Sequence, residues 1–288
     1  MLDDIKSIFK SGNFTGQIIL INAAVFLVVN ILENISPKAG TFIYDWFALH
    51  SHFGHFVIQP WSLFTYMFMH AGLSHILFNM LVFYWFSRIV SDFMGAEKLK
   101  GIYFLGGLSG GVFYLLVYNL MFLAGEKVLD YPLVGASAAV MALVVVAGMK
   151  FPTYQMNLLL IGPVQLRYVA LGLFIISTLL DLSENFGGKM SHLGGAAFGY
   201  FYVRSLRKGT DYTQWFSDLV SSIKRLFSQS RKMKTVHRNP GYHAQPDGGM
   251  QAEDQARMDA ILDKISKSGY DNLTKAEKEF LFRMSNKK

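Results

Sequence analysis

Long apolar runs, separated by short polar segments, fill the first two thirds of the chain. Charged residues within these runs lie mostly near their ends. A bilayer core requires about 20 residues of helix, and only helices or closed barrels can cross it. These runs are too long and too continuous for barrel strands. The pattern therefore predicts an all-α integral membrane protein, a bundle of six transmembrane helices at 16–33, 72–92, 100–123, 136–150, 166–182 and 190–206.

Two of the connecting segments are themselves largely apolar. Residues 34–71 predict a long outer loop, and its Trp46 and Trp61 indicate that it lies partly in the membrane interface, where Trp is enriched. Residues 157–165, interrupted by Gly162-Pro163, predict an inner loop at the membrane surface.

The pattern changes after residue 207. Apolar residues between 214 and 229 follow one helical face beside basic residues, which predicts an amphipathic helix on the membrane surface. Packing of this helix on the rest of the protein is the alternative. Residues 238–250 are rich in Pro and Gly and predict a flexible linker.

Two further amphipathic helices, 253–267 and 275–285, predict a small cytoplasmic helical hairpin at the C-terminus. Gly269 ends the first helix, and Thr274 with Glu277 forms a capping box at the start of the second. The predicted organisation is an N-terminal segment 1–15, a membrane domain 16–207, an amphipathic helix with linker 208–252 and a hairpin 253–288.

Composition narrows the class of protein. Hydrophobic residues make up 52 % of the 288 residues and charged residues 16 %, against about 25 % charged in an average soluble domain. This excludes a wholly cytosolic enzyme and a disordered protein. The chain has no cysteine, which excludes disulfides, thiolate metal sites and a cysteine nucleophile.

Basic residues in the short loops predict the orientation. With a cytoplasmic N-terminus, ten Lys and Arg lie inside, and only Lys38, Lys127 and Lys189 lie outside. Because cytoplasmic loops carry the excess of positive charge, both termini are predicted to be cytoplasmic. The same flanking residues account for the net charge of +7, so the expected partner is the lipid bilayer and not nucleic acid.

Polar residues inside the spans are costly and therefore mark candidate functional groups. His75 and Asn79 lie four residues apart on one face of the second span. Ser137 opens the fourth span and His192 opens the sixth. Counted at about 1.5 Å per residue from the basic residue that ends each helix, His75, Ser137 and His192 lie at similar depths, about 20 Å from the inner surface.

The fourth span has fifteen residues (136–150) and is too short to cross the bilayer core. Its N-terminus is therefore expected inside the membrane, where the first N–H groups of the helix form an anion site. Gly195 and Gly199 would let the sixth span approach the fourth closely and bring His192 to Ser137.

These residue types are suited to a serine nucleophile with a histidine base, and His75 and Asn79 to oxyanion donors. The alternative is that Ser137 is a small interface residue and His192 a hydrogen-bonded core residue. The shared depth and the short helix together favour the catalytic interpretation.

Three motifs in this order resemble the rhomboid family of intramembrane serine proteases, over about residues 15–206. They are Met69-His70 through His75 to Asn79, then Gly135-Ala136-Ser137, then His192 with Gly195 and Gly199. The resemblance implies a rhomboid-like six-helix bundle in which Ser137 is the nucleophile, His192 the base, His75 and Asn79 oxyanion donors with the Ser137 backbone, and His70 an accessory histidine. It also implies cleavage of transmembrane substrates without a metal or cofactor. The hairpin resembles the tails of some bacterial rhomboids, so the expected location is a bacterial inner membrane.

Two positions depart from the family pattern. Many members carry an aromatic residue that stacks on the catalytic histidine where this chain has Met141. Because Met also contacts rings through sulfur, we expect an altered orientation of His192 and not inactivity. Ser62 follows Trp61 where many members have Arg. We expect this difference to change a structural contact of the first loop and to leave Ser137 and His192 unaffected.

Two other functions remain as alternatives. A catalytically inactive rhomboid-like scaffold or quality-control protein would typically lack the serine or the histidine. A membrane metalloprotease is suggested by His50, His52 and His55 in the first loop, but no His-Glu-x-x-His motif occurs. Substrate identity, oligomeric state and the role of the hairpin stay open at this point.

Overall fold

A computed structural model of the chain describes Ile8 and residues 13–159, 161–180, 185–227 and 252–285. The chain divides into two compact units, Met1–Gln229 and Ser230–Lys288. The predicted linker 238–250 and most of the predicted N-terminal segment 1–15 lie outside the described residues.

The first unit is built almost entirely of helices. In chain order its elements are α1 (Phe14–Ile35), α2 (Pro37–Phe47), β1 (Leu49–His50), α3 (Phe53–Ile58), α4 (Ser62–Thr65), α5 (Leu73–Met94), α6 (Ala96–Leu123), β2 (Pro132–Leu133), α7 (Ser137–Lys150), β3 (Gln155–Leu158), β4 (Gly162–Gln165), α8 (Leu166–Phe174), α9 (Phe186–Arg207) and α10 (Tyr212–Phe227). A π-helical turn, Ile175–Leu179, extends α8.

Helices α1, α5, α6, α7, α8 and α9 coincide with the six predicted spans. Of these, α1, α5 and α6 are long and apolar enough to cross a membrane, while α7 and the segment Leu166–Leu179 are shorter apolar helices. The predicted helical membrane bundle is confirmed as a fold class, and the count of six spans stays a prediction.

Helix α7 begins at Ser137 because the preceding backbone turns sharply. Gly135 has φ +128°, a conformation that side-chain-bearing residues rarely adopt. Its N–H donates to the Tyr66 carbonyl at 2.9 Å, which fixes the turn to the first loop. From Ala138 to Val144 every α7 residue is buried, so this short helix forms the centre of the unit.

Glycines allow the helices around α7 to pack at backbone distance. A Cβ on Gly195 would overlap the Ala138 carbonyl oxygen, and one on Gly199 would lie 2.7 Å from the Ala142 carbonyl oxygen. The predicted close approach of the sixth span to the fourth is confirmed.

Two short antiparallel ribbons were not predicted. β1 pairs with β2 through Leu49 and Leu133, and β3 pairs with β4 from Gln155–Gln165 to Leu158–Gly162. Part of the predicted inner loop is therefore β-structure. These strands have only two to four residues, too few for an alternating pattern to stand out from the sequence.

The first loop is ordered by its aromatic residues. Trp61 and Trp46 stack with ring centroids 5.7 Å apart, and the Trp61 indole donates to the Trp46 carbonyl at 2.8 Å. Ser62, at the position where the family often has Arg, is buried and its hydroxyl donates to the Gln59 carbonyl at 2.7 Å. Ser62 thus closes a local turn.

Helix α10 packs one face on α6. The Phe216 and Phe104 rings lie 5.7 Å apart, and Lys98 forms a 3.2 Å ion pair with Asp211. Trp215, Leu219 and Ile223 remain exposed. The sequence left packing of this helix on the rest of the protein as an alternative. One face of α10 does pack in this way.

The second unit contains α11 (Ala252–Ser268), a 3-10 turn (Tyr270–Asn272) and α12 (Lys275–Ser285). Its buried apolar residues are Ile261, Leu273, Phe280 and Met284. The predicted capping box is confirmed: the Thr274 N–H donates to Glu277 Oε2 at 2.7 Å, and the Glu277 N–H donates to Thr274 Oγ1 at 3.4 Å. Hydrogen bonds from Lys264 and then from Thr274 lower the pKa of Glu277 to about 2.

Candidate active site

Helices α5, α7, α8 and α9 line a partly open cavity of about 450 Å³, and four predicted site residues are in its wall. Ser137, His192, His75 and Asn79 all line this cavity. Met141 also lines it and is 5 % exposed, so its side chain shares the space of His192. The apolar part of the wall includes Phe78, Val82, Val134, Val140, Val144, Leu173 and Ile176.

Ser137 stands at the first turn of α7, next to a glycine that leaves room for a histidine. The first N–H groups of a helix have no partner within it, so they are available to a ligand beside the serine. A Cβ on Gly135 would lie 2.9 Å from Nε2 of His75 and 3.6 Å from Oγ of Ser137. The His75 ring therefore lies against the turn that carries Ser137.

His192 is oriented by a backbone carbonyl. Its Nδ1 lies 3.0 Å from the Ser177 carbonyl oxygen. A carbonyl oxygen only accepts hydrogen bonds, so Nδ1 carries the proton, and Nε2 of the neutral ring is then an acceptor. Ser177 belongs to the π-helical turn after α8, a distortion that is frequent at functional sites. Sequence analysis missed Ser177, because a backbone acceptor has no side-chain signature.

His75 takes the opposite tautomer. Its Nδ1 accepts the Ala71 N–H at 3.4 Å, so Nε2 carries the proton on the side that faces Gly135. The Asn79 amide donates one hydrogen to the His75 carbonyl at 3.0 Å, which leaves its second amide hydrogen available. Two N–H donors therefore lie in the cavity that Ser137 lines.

The predicted accessory residue His70 has a different position from the other four. The residue is 2 % exposed, and its ring lies edge-on to His75 with centroids 5.1 Å apart. Tyr44 donates to the His70 carbonyl at 3.2 Å. His70 is thus a buried neighbour of His75, and its accessory role stays a prediction.

Ser137 and His192 share the cavity without a direct hydrogen bond. Within the described residues, no hydrogen bond joins Ser137 Oγ to the His192 ring. Hydrogen bonds between catalytic groups are often long before substrate binds and tighten in the complex. The arrangement provides a hydroxyl, an imidazole whose Nε2 is an acceptor, and N–H donors in one largely apolar cavity.

The fold defines the class of protein, a helical membrane bundle in which a serine stands at the first turn of a short buried helix. Comparison with known proteins gives the family. The rhomboid domain model matches residues 57–209, which is more than half of the chain. The protein therefore belongs to the rhomboid family and is a multi-pass membrane protein. A family of unknown function, DUF6576, matches residues 250–287, the region of the C-terminal hairpin.

Relatives of the chain come from plants, animals and bacteria. It is 28 % identical over 230 residues to Rhomboid-like protein 16, chloroplastic, of Arabidopsis thaliana. The matched region covers 70 % of this chain and 70 % of that protein. It is 32 % identical over 136 residues to the rhomboid protease GlpG of Klebsiella pneumoniae, 41 % of this chain and 46 % of that protein. It is 29 % identical over 140 residues to Presenilin-associated rhomboid-like protein A, mitochondrial, of Danio rerio, 47 % of this chain and 35 % of that protein.

Proposed function

We propose that the protein is an intramembrane serine endopeptidase that cleaves transmembrane segments of other membrane proteins. Ser137 is the nucleophile and His192 is the general base. The proposal rests above all on the observation that both residues line a single cavity. The Ser177 carbonyl, which holds His192 in the tautomer of a base, supports it further. Membership of a family that includes the GlpG proteases supports it.

Acylation follows from these positions. Nε2 of His192 accepts the proton of the Ser137 hydroxyl as Oγ attacks the scissile carbonyl carbon. The imidazolium then donates that proton to the leaving amine when the peptide C–N bond breaks. The Ser177 carbonyl accepts from Nδ1–H throughout, so the ring keeps its orientation in both protonation states.

The oxyanion of the tetrahedral intermediate is stabilised by N–H donors. The donors are the backbone N–H of Ser137, Nε2–H of His75 and the free amide hydrogen of Asn79. Hydrogen bonds in an apolar cavity are stronger than in water, which increases the contribution of each donor. Water then hydrolyses the acyl-enzyme with His192 again acting as the base.

Labelling with a fluorophosphonate probe tests the nucleophile. Wild-type protein in detergent should form the adduct and cleave a transmembrane model substrate. Ser137→Ala and His192→Ala should both fall to background, since one removes the nucleophile and the other its base. Ser74→Ala is the matched control, because Ser74 is another serine that lines the cavity.

Cleavage by folded Ser137→Ala at the wild-type rate would reject the serine mechanism. A folded wild-type protein that neither reacts with the probe nor cleaves would instead favour the alternative, a catalytically inactive rhomboid-like scaffold. Folding of each variant is checked by its melting temperature in the same detergent.

We further infer that both termini are cytoplasmic and that the host membrane is a bacterial inner membrane. The excess of basic residues in the predicted inner loops supports the orientation, and similarity to the bacterial GlpG proteases supports the location. A reporter fused after Lys288 should show cytoplasmic activity. An external signal would overturn the orientation.

A further inference from the structure

Two histidines and an aspartate from separate segments converge outside the proposed catalytic cavity. His50 lies in β1, His55 lies in α3, and Asp130 lies two residues before β2. The Nδ1 atoms of His50 and His55 lie 3.0 and 2.9 Å from the same oxygen, Oδ2 of Asp130. The ligating atoms of the three residues all lie within 4.8 Å of one another. One metal ion could therefore contact all three.

The second oxygen of Asp130 is held by its neighbours. Oδ1 accepts hydrogen bonds from the Ser51 N–H at 3.0 Å, the Ser51 hydroxyl at 3.1 Å and the His52 N–H at 3.3 Å. Asn119 donates to the Ser51 carbonyl at 2.9 Å and so supports that residue. Hydrogen bonds of this kind orient the carboxylates that bind metals. Oδ2 is thereby directed at the two imidazoles.

The two His–Asp distances are close to those of a tetrahedral zinc site. Zinc bonds to His nitrogen and carboxylate oxygen are about 2.0–2.1 Å, so two ligand atoms of a tetrahedron lie about 3.3 Å apart. The two His–Asp distances need to increase by only about 0.3–0.4 Å to accept the ion. The two Nδ1 atoms lie no more than 4.8 Å apart, and the same geometry requires about 3.3 Å between them. Rotation of the half-exposed His55 side chain is the adjustment that brings them to this separation.

Exposure of the group leaves a path for an ion to enter. The side chain of His50 is 11 % exposed and that of Asp130 is 25 % exposed, whereas that of His55 is 54 % exposed. Solvent therefore reaches the group from the His55 side, where water can fill the remaining coordination position. Imidazole and carboxylate ligands together suit zinc among the common divalent metals.

We propose that His50, His55 and Asp130 bind a zinc ion that joins the first loop to the segment preceding α7. β1 already pairs with β2 through Leu49 and Leu133, and Ser137 follows Leu133 by four residues. The ion adds a second link between the same two segments, so it stabilises the membrane unit where the chain enters the proposed active site.

This zinc site has a structural role and takes no part in peptide-bond cleavage. None of the three residues is among those that line the cavity of Ser137. A metalloprotease based on His50, His52 and His55 would need its metal where the substrate is cleaved. In this proposal the zinc site and the Ser137–His192 site are separate. The side chain of His52 belongs to neither, because its ring packs edge-on to Phe122 with centroids 5.8 Å apart.

Zinc titration of the full-length protein tests the site. The protein is purified in detergent with an affinity tag that lacks histidine, treated with EDTA, dialysed, and titrated with ZnCl₂ in a calorimeter. Wild type should bind one zinc per chain, and Asp130→Asn and His55→Ala should bind at least a hundredfold more weakly. His52→Ala is the matched control and should bind like wild type, because it removes a histidine ring that packs on Phe122 and keeps the backbone N–H that donates to Asp130.

Two further measurements follow the same samples. Zinc at a hundredfold excess over its Kd should raise the melting temperature of wild type and His52→Ala by roughly 5 °C and leave Asp130→Asn unchanged. Bound Co²⁺ should give the visible absorption of a tetrahedral complex in wild type and in His52→Ala. Asp130→Asn and His55→Ala should lack this absorption.

Equal zinc binding by wild type and by both variants would overturn the proposal, because the ion would then bind elsewhere. No zinc binding by folded wild type would overturn it as well. If Asp130→Asn fails to fold, His55→Ala decides the question, since His55 is largely exposed and its truncation leaves the buried contacts of Asp130 in place. Proteolysis is not the readout, so failure of this proposal is separate from failure of the proposed function.

Discussion

Helices α7 and α9 and the C-terminal hairpin are packed in different ways. α9 meets α7 at its backbone: a Cβ on Gly195 would overlap the Ala138 carbonyl oxygen, and Gly199 lies similarly close to Ala142. The hairpin is packed through side chains. Its buried residues are Ile261, Leu273, Phe280 and Met284.

This difference decides what a substitution changes. Backbone contact leaves no side chain that can repack, so an added atom moves the whole helix. Helix α9 carries His192, three residues before Gly195, and a shift of α9 therefore displaces the proposed base from Ser137. A side-chain core loses local stability when it is truncated, and in the hairpin no residue of the proposed site is affected.

The largest effect is expected from Gly195→Ala. The new Cβ forces α9 away from α7, and a displacement of about 1 Å at a catalytic group costs about a hundredfold in rate. Overpacking should also lower the free energy of unfolding by about 1–3 kcal/mol. Cleavage of a model substrate in detergent and the melting temperature measure the two effects.

Gly172→Ala is the matched control for that experiment. Gly172 is also a helical glycine of the membrane unit, but a Cβ there meets no atom within 4 Å. Cleavage at the wild-type rate by Gly195→Ala, or equal losses in both variants, would contradict the view that backbone contact positions His192.

A smaller effect is expected from loss of a single oxyanion donor. One such donor elsewhere is worth about 10²–10³ in rate at most, and here the Ser137 N–H remains in every variant. His75→Ala should lower kcat by about ten- to a hundredfold, and Asn79→Ala by less, because one Asn79 amide hydrogen is already bonded to the His75 carbonyl. His70→Ala, which removes a buried neighbour of His75, should change kcat least.

Ser74→Ala serves again as the control, and melting temperatures separate misfolding from lost catalysis. If folded Asn79→Ala is as inactive as Ser137→Ala, the Ser137–His192 pair survives as a hypothesis, but Asn79 then has a structural role. An unchanged kcat in folded His75→Ala would remove His75 from the proposed oxyanion site.

The contrast between the two regions also shows what the sequence could predict. Gly195 and Gly199 form a local spacing pattern, and Thr274 with Glu277 forms a local capping pattern, so helix approach and hairpin were both predictable. Ser177 acts through a backbone carbonyl in a π-helical turn, which no side-chain pattern indicates. Asp130 meets His50 across 80 residues of chain, a distance at which spacing rules carry no information.

The sequence did not predict the strand pairing and did not decide between the two environments of α10, for related reasons. β1 and β2 have two residues each, so they show no periodicity. In α10 apolar residues occupy both the face that packs on α6 and the exposed positions of Trp215 and Leu219. In a membrane protein, apolar residues alone do not distinguish lipid contact from protein contact.

Within the hairpin, Phe280→Ala should cause the largest loss of stability. Phe280 is 3 % exposed, and the Arg257 guanidinium lies over its ring at 5.0 Å. Truncation of a buried Phe costs about 3–5 kcal/mol, about as much as a small domain of this length has in total. The helical circular dichroism of a fragment 250–288 should fall to that of an unfolded chain.

Phe282→Ala is the control, because Phe282 lies on the same helix and is 71 % exposed. It should leave the helical signal unchanged. In the full-length protein, both variants should cleave substrate at the wild-type rate. Loss of cleavage in Phe280→Ala alone would show that the hairpin contributes to the proposed active site.

The smallest effect is expected from the capping residue Glu277, through the pH dependence of hairpin stability. Its pKa is about 2 in the folded hairpin, below the ordinary value of 4.5, because it accepts hydrogen bonds from Lys264 and Thr274. The ionised form is therefore stabilised by folding, and this contribution is complete above about pH 4.5 and is lost as the pH falls towards 2. In thermal melts of the fragment 250–288, the difference between wild type and Glu277→Gln should be constant from pH 7 to pH 5 and should disappear near pH 2. Glu279→Gln makes the same change at an exposed residue of the same helix and should follow wild type at every pH. A difference between wild type and Glu277→Gln that persists at pH 2 would mean that Glu277 stabilises the hairpin by packing and not by its charge.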